Sequence, residues 1–572
     1  MANKILFTTN CIEVQCDRDD LGTQNALVDF YPLHMNRIRT NFKMSPHYAP
    51  EILAALRGID SLNVDTAPPL IQDYFYKEMR LRENTEDLLK NGPRQSGVVS
   101  DRLTLKPHQQ LGRELAQYYD RYAFFYDTRT GKTPLSLTII NDNPNEKWLV
   151  VAPLILIYNA WLDDAPKFFP DMKVVNCHAP TKAKRLKAMQ EPANVYLTNT
   201  ESFISYKPYF DQMGFTGVFV DESSDLKSPR SKVSAAMVEF AQTVKYFYLL
   251  SGVPAPNGEH EYFMQMRAID FYGWHQSYTQ FKEHYFINLS YEPQYEKLVL
   301  RPDKKDALYD KIAKYSIYTD KEDVLDTPGR TFHEVEYDMP DKLMEHYKKI
   351  KNELYMQLNE DTRITVPSAA AKLNKLNQVS SGFILDTQAA KENMYYDTDK
   401  VEWHLLDNWR FKALEDLLSR DNIKGEQVLI WANYRREFEL IQNSLGERCA
   451  CVYGGVNITE KNEAISRFKR GDIQYLVANP ASADKGLTLT NAHIAIYFSL
   501  NWSYELFKQS YDRIYGDRSI QPHHCDYYIM MAKHTIDTVL YRDVLQGKQV
   551  GSYAVLNHLK PGVIKDAKDL HI

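Results

Sequence analysis

A chain of 572 residues is too long for one ordinary domain, and its length argues for roughly three or four units of about 150 residues each. With 44% hydrophobic and 25% charged residues it has a globular composition, and a formal charge of -6 excludes a protein that is basic all over, so nucleic-acid binding would need a local groove. No apolar run reaches the ~20 residues that span a bilayer, "MANKILFTTN" lacks a signal peptide's apolar core, and six scattered cysteines without a C-x-x-C pair indicate neither a disulfide framework nor a zinc site. A cytoplasmic address, no membrane association and a monomer are expected.

In chain order, residues 1–100 are mixed. "PEILAALRGI" reads as an amphipathic helix and "KNGPRQSGVVSD" as a linker into the first lobe. Residues 101–330 carry a first alternation of strands and helices, with strands expected at "AFFYD", "WLVVAP", "KVVNC", "NVYLTN", "GVFVDE" and "YFYLLSG". Near-continuous apolar strands interleaved with helices mean a parallel sheet covered on both faces. Over 331–410, "DKLMEHYKKIKNELYMQL" and its neighbours predict a helical insertion and the connection between lobes. A second alternation over 411–550 places strands at "VLIWAN", "CACVYGG", "QYLVAN", "HIAIYFS" and "DYYIMMA", with Cys449 and Cys451 as buried strand residues; 551–572 reads as a C-terminal tail. The expected fold class is α/β, with two parallel-sheet lobes.

Two motifs in the first lobe carry chemistry. "FFYDTRTGKTPLSL" ends in the Thr130-Gly131-Lys132-Thr133 of a phosphate-binding loop, although Tyr126 holds the place of the first glycine. The tripeptide falls between a predicted strand and a predicted helix, so backbone amides would cradle phosphates, Lys132 would reach the β/γ-phosphates and Thr133 would ligate magnesium. A surface turn that happens to spell Gly-Lys-Thr is the alternative. "GVFVDESSD" ends a strand in Asp221-Glu222, where a parallel sheet places its ligands. Asp221 can hold magnesium and Glu222 can orient the attacking water; alone, the pair would more often be a solvated turn.

With six further segments in the family's order, the chain resembles a Swi/Snf-type DNA translocase of helicase superfamily two. "LKPHQQLG" resembles the family's leading motif, with Gln109 in the adenine-reading position, and "VVAPLILIYNAW" the next, carrying Pro153 and Trp161. "VDESSDLKS" resembles the D-E-A-H-x-x-K box, with Ser224 where histidine is usual, and "LLSGVPAPNGEHEYF" matches through Ser251, Gly252, Pro254, Asn257 and Glu261. "ANPASADKGLTLTNAHIAIYFSLNWS" is similar to motif five, "KQSYDRIYGDRSIQ" to motif six, and "HTIDTVLYRDVLQGKQ" to the Thr-Ile-Asp helix.

The resemblance implies RecA-like lobes, with ATP and Mg2+ as cofactors. It also implies nucleotide contacts from Gln109, Thr130, Gly131, Lys132, Thr133, Gly486 and Gln509, with Asp221, Glu222, Arg513 and Arg518 in catalysis. Two departures stand out. Arg129 occupies a position where the family has glycine, and Gly516 occupies that of the second arginine of motif six, which makes Arg518 its expected substitute. Thr198, Asn199, Lys227, Ser482, Lys485, Thr490 and Trp502 are assigned to DNA, with helix capping or solvent exposure as an equal alternative for each.

The implied partner is double-stranded or branched DNA. The first hundred residues resemble the targeting module of annealing-type (HARP-like) members, which implies an N-terminal accessory domain, with a packing extension of the first lobe as the alternative. The function expected is ATP-dependent translocation on duplex DNA. A motor on RNA or transcription complexes, and an interaction protein with a residual nucleotide site, are the other readings. The compact build suits a bacterial or viral protein.

Overall fold

The computed structural model describes residues 4–7, 12–15, 41–44, 69–271, 273–274, 276–290, 296–353, 355–357, 363–365, 369–385, 403–482 and 487–561. Most of the expected accessory domain, including "PEILAALRGI", lies outside these residues, as do Lys485 and Gly486. The described N-terminal elements are a three-stranded antiparallel sheet (Lys4–Phe7, Ile12–Gln15, Asn41–Met44) and a helix, Pro69–Asn91. The chain divides into two compact units, residues 1–324 with 551–572, and residues 325–550. Among the described residues, no helix is long and apolar enough to cross a membrane.

The first unit is built on a seven-stranded parallel sheet. Its strands are β1 (Arg121–Tyr126), β2 (Trp148–Val151), β3 (Val174–Asn176), β4 (Val195–Thr198), β5 (Gly217–Asp221), β6 (Tyr246–Leu250) and β7 (Ser316–Thr319), in the order β7-β1-β6-β5-β2-β4-β3. Six fall where the sequence predicts them; β7 was not expected. "WLVV", "GVFVD" and "YFYLL" are buried along their whole length, as strands covered on both faces must be. Trp148 stacks on Tyr246 at 5.4 Å and packs on Phe219, and a side chain at Gly217 would collide with its ring.

Register brings the carboxyl ends of these strands together. Tyr126 lies opposite Thr319, Asp221 opposite Leu250, and Val151 opposite Thr198. The loops that follow β1, β5, β6 and β7 therefore share one edge of the sheet.

The second unit carries a six-stranded parallel sheet of β8 (Arg330–Tyr337), β9 (Val428–Trp431), β10 (Cys449–Val452), β11 (Tyr475–Ala478), β12 (Ile494–Tyr497) and β13 (Cys525–Ala532), in the order β8-β13-β12-β9-β11-β10. Cys449 and Cys451 are buried on β10. The expectation that 331–410 is a helical insertion is corrected: its first residues are the edge strand β8, paired with β13 along its full length, the helix Asp341–Glu353 follows, and short strands lie at Tyr355–Gln357, Arg363–Thr365, Phe383–Leu385 and Trp403–Leu405. β8 reads "RTFHEVEY", an alternating pattern suited to an edge, and its Glu334 and Glu336 carboxylates both receive Arg542. The expected tail begins as helix: Gln546–His558 extends past residue 551, and the Leu559 carbonyl accepts from the Tyr318 amide of β7.

Candidate active site

The strand–turn–helix at Gly131-Lys132-Thr133 is as the sequence predicts: β1 ends at Tyr126 and the helix Lys132–Asp142 begins directly after Gly131. Tyr126 belongs to the strand and not to the loop. Its buried ring packs against Phe124, and its hydroxyl donates to the His108 carbonyl at 2.7 Å, across a contact so close that a side chain at Gly112 would lie 2.6 Å from that hydroxyl. Burial pushes the phenol well above its usual range, so it stays a neutral donor. The missing first glycine is thus replaced by a packed aromatic at the strand end.

Arg129 accepts the left-handed conformation that glycine would have supplied, with φ 64°. A non-glycine residue held there costs roughly 1–2 kcal/mol, which the surrounding contacts must offset. Those contacts are visible. Thr130 donates its hydroxyl to the Asp127 carbonyl at 2.7 Å, a ring nitrogen of His108 bonds the Thr130 carbonyl at 2.7 Å, and Gln109 donates to the Gly131 carbonyl at 2.9 Å. Gly131 itself has φ 84°, and a Cβ there would lie 2.1 Å from the Gln109 amide nitrogen. Gln109 also accepts from the Lys106 amide at 2.8 Å, so its side chain ties the start of the helix Pro107–Tyr118 to the loop. Each end of that amide keeps one further hydrogen-bonding position.

Lys132 folds back onto the loop, donating to the carbonyls of Tyr126 at 3.0 Å and Asp127 at 3.3 Å. The donor set fits a nucleoside triphosphate with magnesium. An ammonium and the amides of an 11-residue helix N-terminus suit phosphate, while the Thr133 hydroxyl and the Asp221 carboxylate are oxygen donors of the kind magnesium takes.

Asp221 ends β5 and is buried. It accepts from the Trp161 indole at 3.0 Å and from the Glu222 amide at 3.1 Å, which fixes the carboxylate's direction. Sequence comparison singled out Trp161 without a role; here it orients Asp221. Glu222 adopts φ 56°, a second left-handed non-glycine residue in this edge of the sheet. Ser223 donates to Gln265 at 2.8 Å, and Gln265 donates to the Pro254 carbonyl at 2.7 Å, so the acidic box is tied to the Pro254–Glu261 segment through a glutamine that no motif signalled. Asn257 and Glu261 bond each other at 2.8 Å. Ser224 is buried and Lys227 follows the short 3-10 turn Ser223–Leu226.

Of the other residues assigned to DNA in the first unit, Thr198 is fully buried at the end of β4, and Asn199 precedes the helix Thr200–Phe210. In the second unit Thr490 is partly exposed, and its carbonyl accepts from Gln521 at 3.3 Å. Ser482 lies in the turn after β11, and the Trp502 carbonyl accepts from Lys548 at 3.0 Å.

Motif five and motif six hold one another. Arg513 is buried, donates to the Leu487 carbonyl at 3.3 Å and accepts the Leu489 amide through its own carbonyl. Buried Gln521 donates to the carbonyls of Ala492 and Ile514, both at 2.8 Å. Gln509 lies buried on the helix Tyr504–Tyr511. Arg518 differs from all of these: its side chain is half exposed and pairs with exposed Asp326 at 3.0 Å. The Thr-Ile-Asp segment ends in Asp537, which receives the guanidinium of Arg410 at 2.7 Å with both groups buried. Sequence reading missed Arg410, which lies 127 positions away.

A phosphate loop followed in the same lobe by a strand-end Asp-Glu, with a second parallel-sheet unit carrying its own ordered motifs, defines a two-lobed helicase-type ATPase. The chain belongs to the SNF2-related family: residues 45–382 match the SNF2-related domain and residues 409–515 the helicase conserved C-terminal domain. These are the ATPase domains of a motor class that acts on DNA-related substrates. The chain is similar to putative protein p41 of Acyrthosiphon pisum secondary endosymbiont phage 1, 25% identical over 433 residues, 72% of this chain and 89% of that protein. It is 21% identical to mouse SWI/SNF-related matrix-associated actin-dependent regulator of chromatin subfamily A member 1, over 78% of this chain and 44% of that protein. It is 22% identical to human DNA annealing helicase and endonuclease ZRANB3, over 69% of this chain and 35% of that protein. The chain thus spans less than half the length of these two relatives. Among solved structures, the Sulfolobus solfataricus SWI2/SNF2 ATPase core in complex with dsDNA is 19% identical, covering 79% of this chain and 95% of that one, with a TM-score of 0.36.

Proposed function

We propose that this protein is an ATP-dependent translocase on double-stranded DNA that remodels DNA structures or displaces DNA-bound proteins. The observation that carries the reading is the intact set of ionic groups on one sheet edge: Lys132 at the start of its helix, with Asp221 and Glu222 at the end of β5. Lys132 exchanges the Tyr126 and Asp127 carbonyls for phosphate oxygens. Thr133 and Asp221 would hold magnesium, which would supply neutralisation of the phosphate charge. Glu222 orients the attacking water, and Arg513 with Arg518 stabilises charge on the transferring phosphoryl group. Duplex DNA as the track is supported by the match to the SNF2-related domain and by the DNA annealing helicase among the relatives.

ATP turnover measured without nucleic acid and with duplex, single-stranded, forked DNA and RNA tests this. Duplex DNA is expected to stimulate most, independently of sequence, with stimulation falling steeply as salt rises because phosphate contacts release condensed counterions. The same motor should dislodge a bound protein or a third strand while unwinding a plain duplex poorly. Equal stimulation by RNA and duplex DNA, or efficient unwinding of a blunt duplex, would place the protein in another branch of the superfamily. Removing the residues before Asp101 is expected to preserve basal hydrolysis and alter the preference for forked over linear DNA.

A further inference from the structure

The phosphate loop is held at its other end by a residue that belongs to none of the motifs. β7 lies at the sheet edge beside β1, and the Asp127 amide donates to the Thr319 carbonyl at 2.9 Å, so the chain two residues past Thr319 passes over the first residues of the loop. That places the Lys321 ammonium 2.7 Å from the Thr128 hydroxyl and 3.7 Å from the Asp127 carboxylate. The Lys321 and Asp127 side chains are 1% and 2% exposed. Asp127 also accepts from the Thr128 amide at 2.7 Å, so one carboxylate organises the turn that leads into left-handed Arg129.

Water is excluded here, and a buried carboxylate demands a cation. Among the described residues, the Lys321 ammonium lies at the Asp127 carboxylate and that of Lys132 at the Asp127 main-chain oxygen. The second is the one the phosphates need. Resting on the nucleotide-site reading above, we propose that Lys321 is a positioning residue of the phosphate loop. It neutralises Asp127 and anchors Thr128, which leaves the Lys132 ammonium to exchange its carbonyl contacts for phosphate. Without Lys321 the Asp127 carboxylate competes with phosphate for Lys132, and the strained turn at Arg129 loses its brace.

The test is ATP affinity, with kcat at saturating ATP and the melting temperature measured beside it, in the full chain. Lys321→Met is expected to weaken ATP binding by about tenfold or more while lowering kcat at saturation much less, the pattern of lost binding and not of lost chemistry. Adding Asp127→Asn to that variant removes the competing charge and is expected to bring affinity back to within about threefold of wild type. Thr128→Val keeps both charges and deletes only the hydroxyl; the expected weakening is about threefold. A purely structural ion pair would lower the melting temperature and leave the affinity of folded protein alone. Wild-type affinity in folded Lys321→Met overturns the assignment, and if that variant does not fold, wild-type affinity in Thr128→Val overturns it. A wild-type protein that binds no ATP is a different result, which removes the nucleotide-site reading itself.

Discussion

The two parallel sheets of this protein are built alike and use their polar groups differently. In the first unit the charged side chains at the carboxyl edge stay close to where a ligand's phosphates would lie: Lys132 rests on two carbonyls of its own loop, and Asp221 is aimed by a tryptophan and a main-chain amide. In the second unit the buried ions bind the protein's own chain. Arg410 donates to the Phe498 and Met530 carbonyls as well as to Asp537, and Asp537 also accepts from Ser380 and the Ala532 amide. The difference teaches that one architecture can hold charge for chemistry in one lobe and for shape in the other. Removing Lys132 should therefore abolish turnover, and removing Asp537 should unfold a unit.

The largest effect expected is on chemistry. Lys132→Ala should lower ATP turnover by about a hundredfold or more, with a smaller change in melting temperature, because only two part-buried hydrogen bonds to loop carbonyls are lost. Glu222→Gln should keep nucleotide binding and stop hydrolysis; loss of binding in a nucleotide titration would break that division of labour. Next comes the second unit. Asp537→Ala strands the buried Arg410 guanidinium and should cost about 3–5 kcal/mol in urea unfolding. If Lys132→Ala destabilises the protein as much as Asp537→Ala does, the contrast between the units is wrong.

The motif-six arginines sharpen the contrast within one unit. Buried Arg513 holds Leu487 and Leu489, so Arg513→Ala should lower both kcat and the melting temperature. The exposed Arg518–Asp326 pair is worth only about 0–1 kcal/mol, so Arg518→Ala should lower kcat with the melting temperature unmoved. Normal hydrolysis in Arg518→Ala would leave the task to Arg513 alone.

The smallest effect is on pH dependence and has the same sign in both units. Burial, aided by Lys106, holds His108 below the usual histidine value of 6.5, and burial does the same to His493 in the second unit. The unfolded chain then binds these protons first. Stability is complete above pH 6.5 and falls as the pH drops below it, levelling off once the folded groups also protonate. Thermal melts between about pH 7.5 and 5.5 should show this loss, and His108→Gln, which can still donate to the Thr130 carbonyl, should reduce it.

What could be read in the sequence was what is local. The strands with continuous apolar runs, the turn into the helix at Gly131, and the carboxylates at the end of β5 all declare themselves within about a dozen residues. The two strands of the parallel sheets that escaped notice are short or alternating: β7 is four residues inside "KYSIYTDKED", and β8 alternates charge with apolar side chains along an edge. Each resembles the charged helical stretches around it.

The sequence by itself determined the class of fold, the order of the motifs and the ionic groups available for ATP, because strand burial and phosphate binding both leave short-range patterns. Only the tertiary structure decided how those groups are held. Trp161 reaches Asp221 over 60 positions, Arg410 reaches Asp537 over 127, and Lys321 reaches Thr128 over 193. None of the three leaves a pattern along the chain, because their partners become neighbours only when parallel strands align their carboxyl ends and water is driven from between them. The same alignment decided that Arg129 could stand where glycine was expected: a loop braced at both ends by buried hydrogen bonds can hold one residue in a conformation its side chain disfavours.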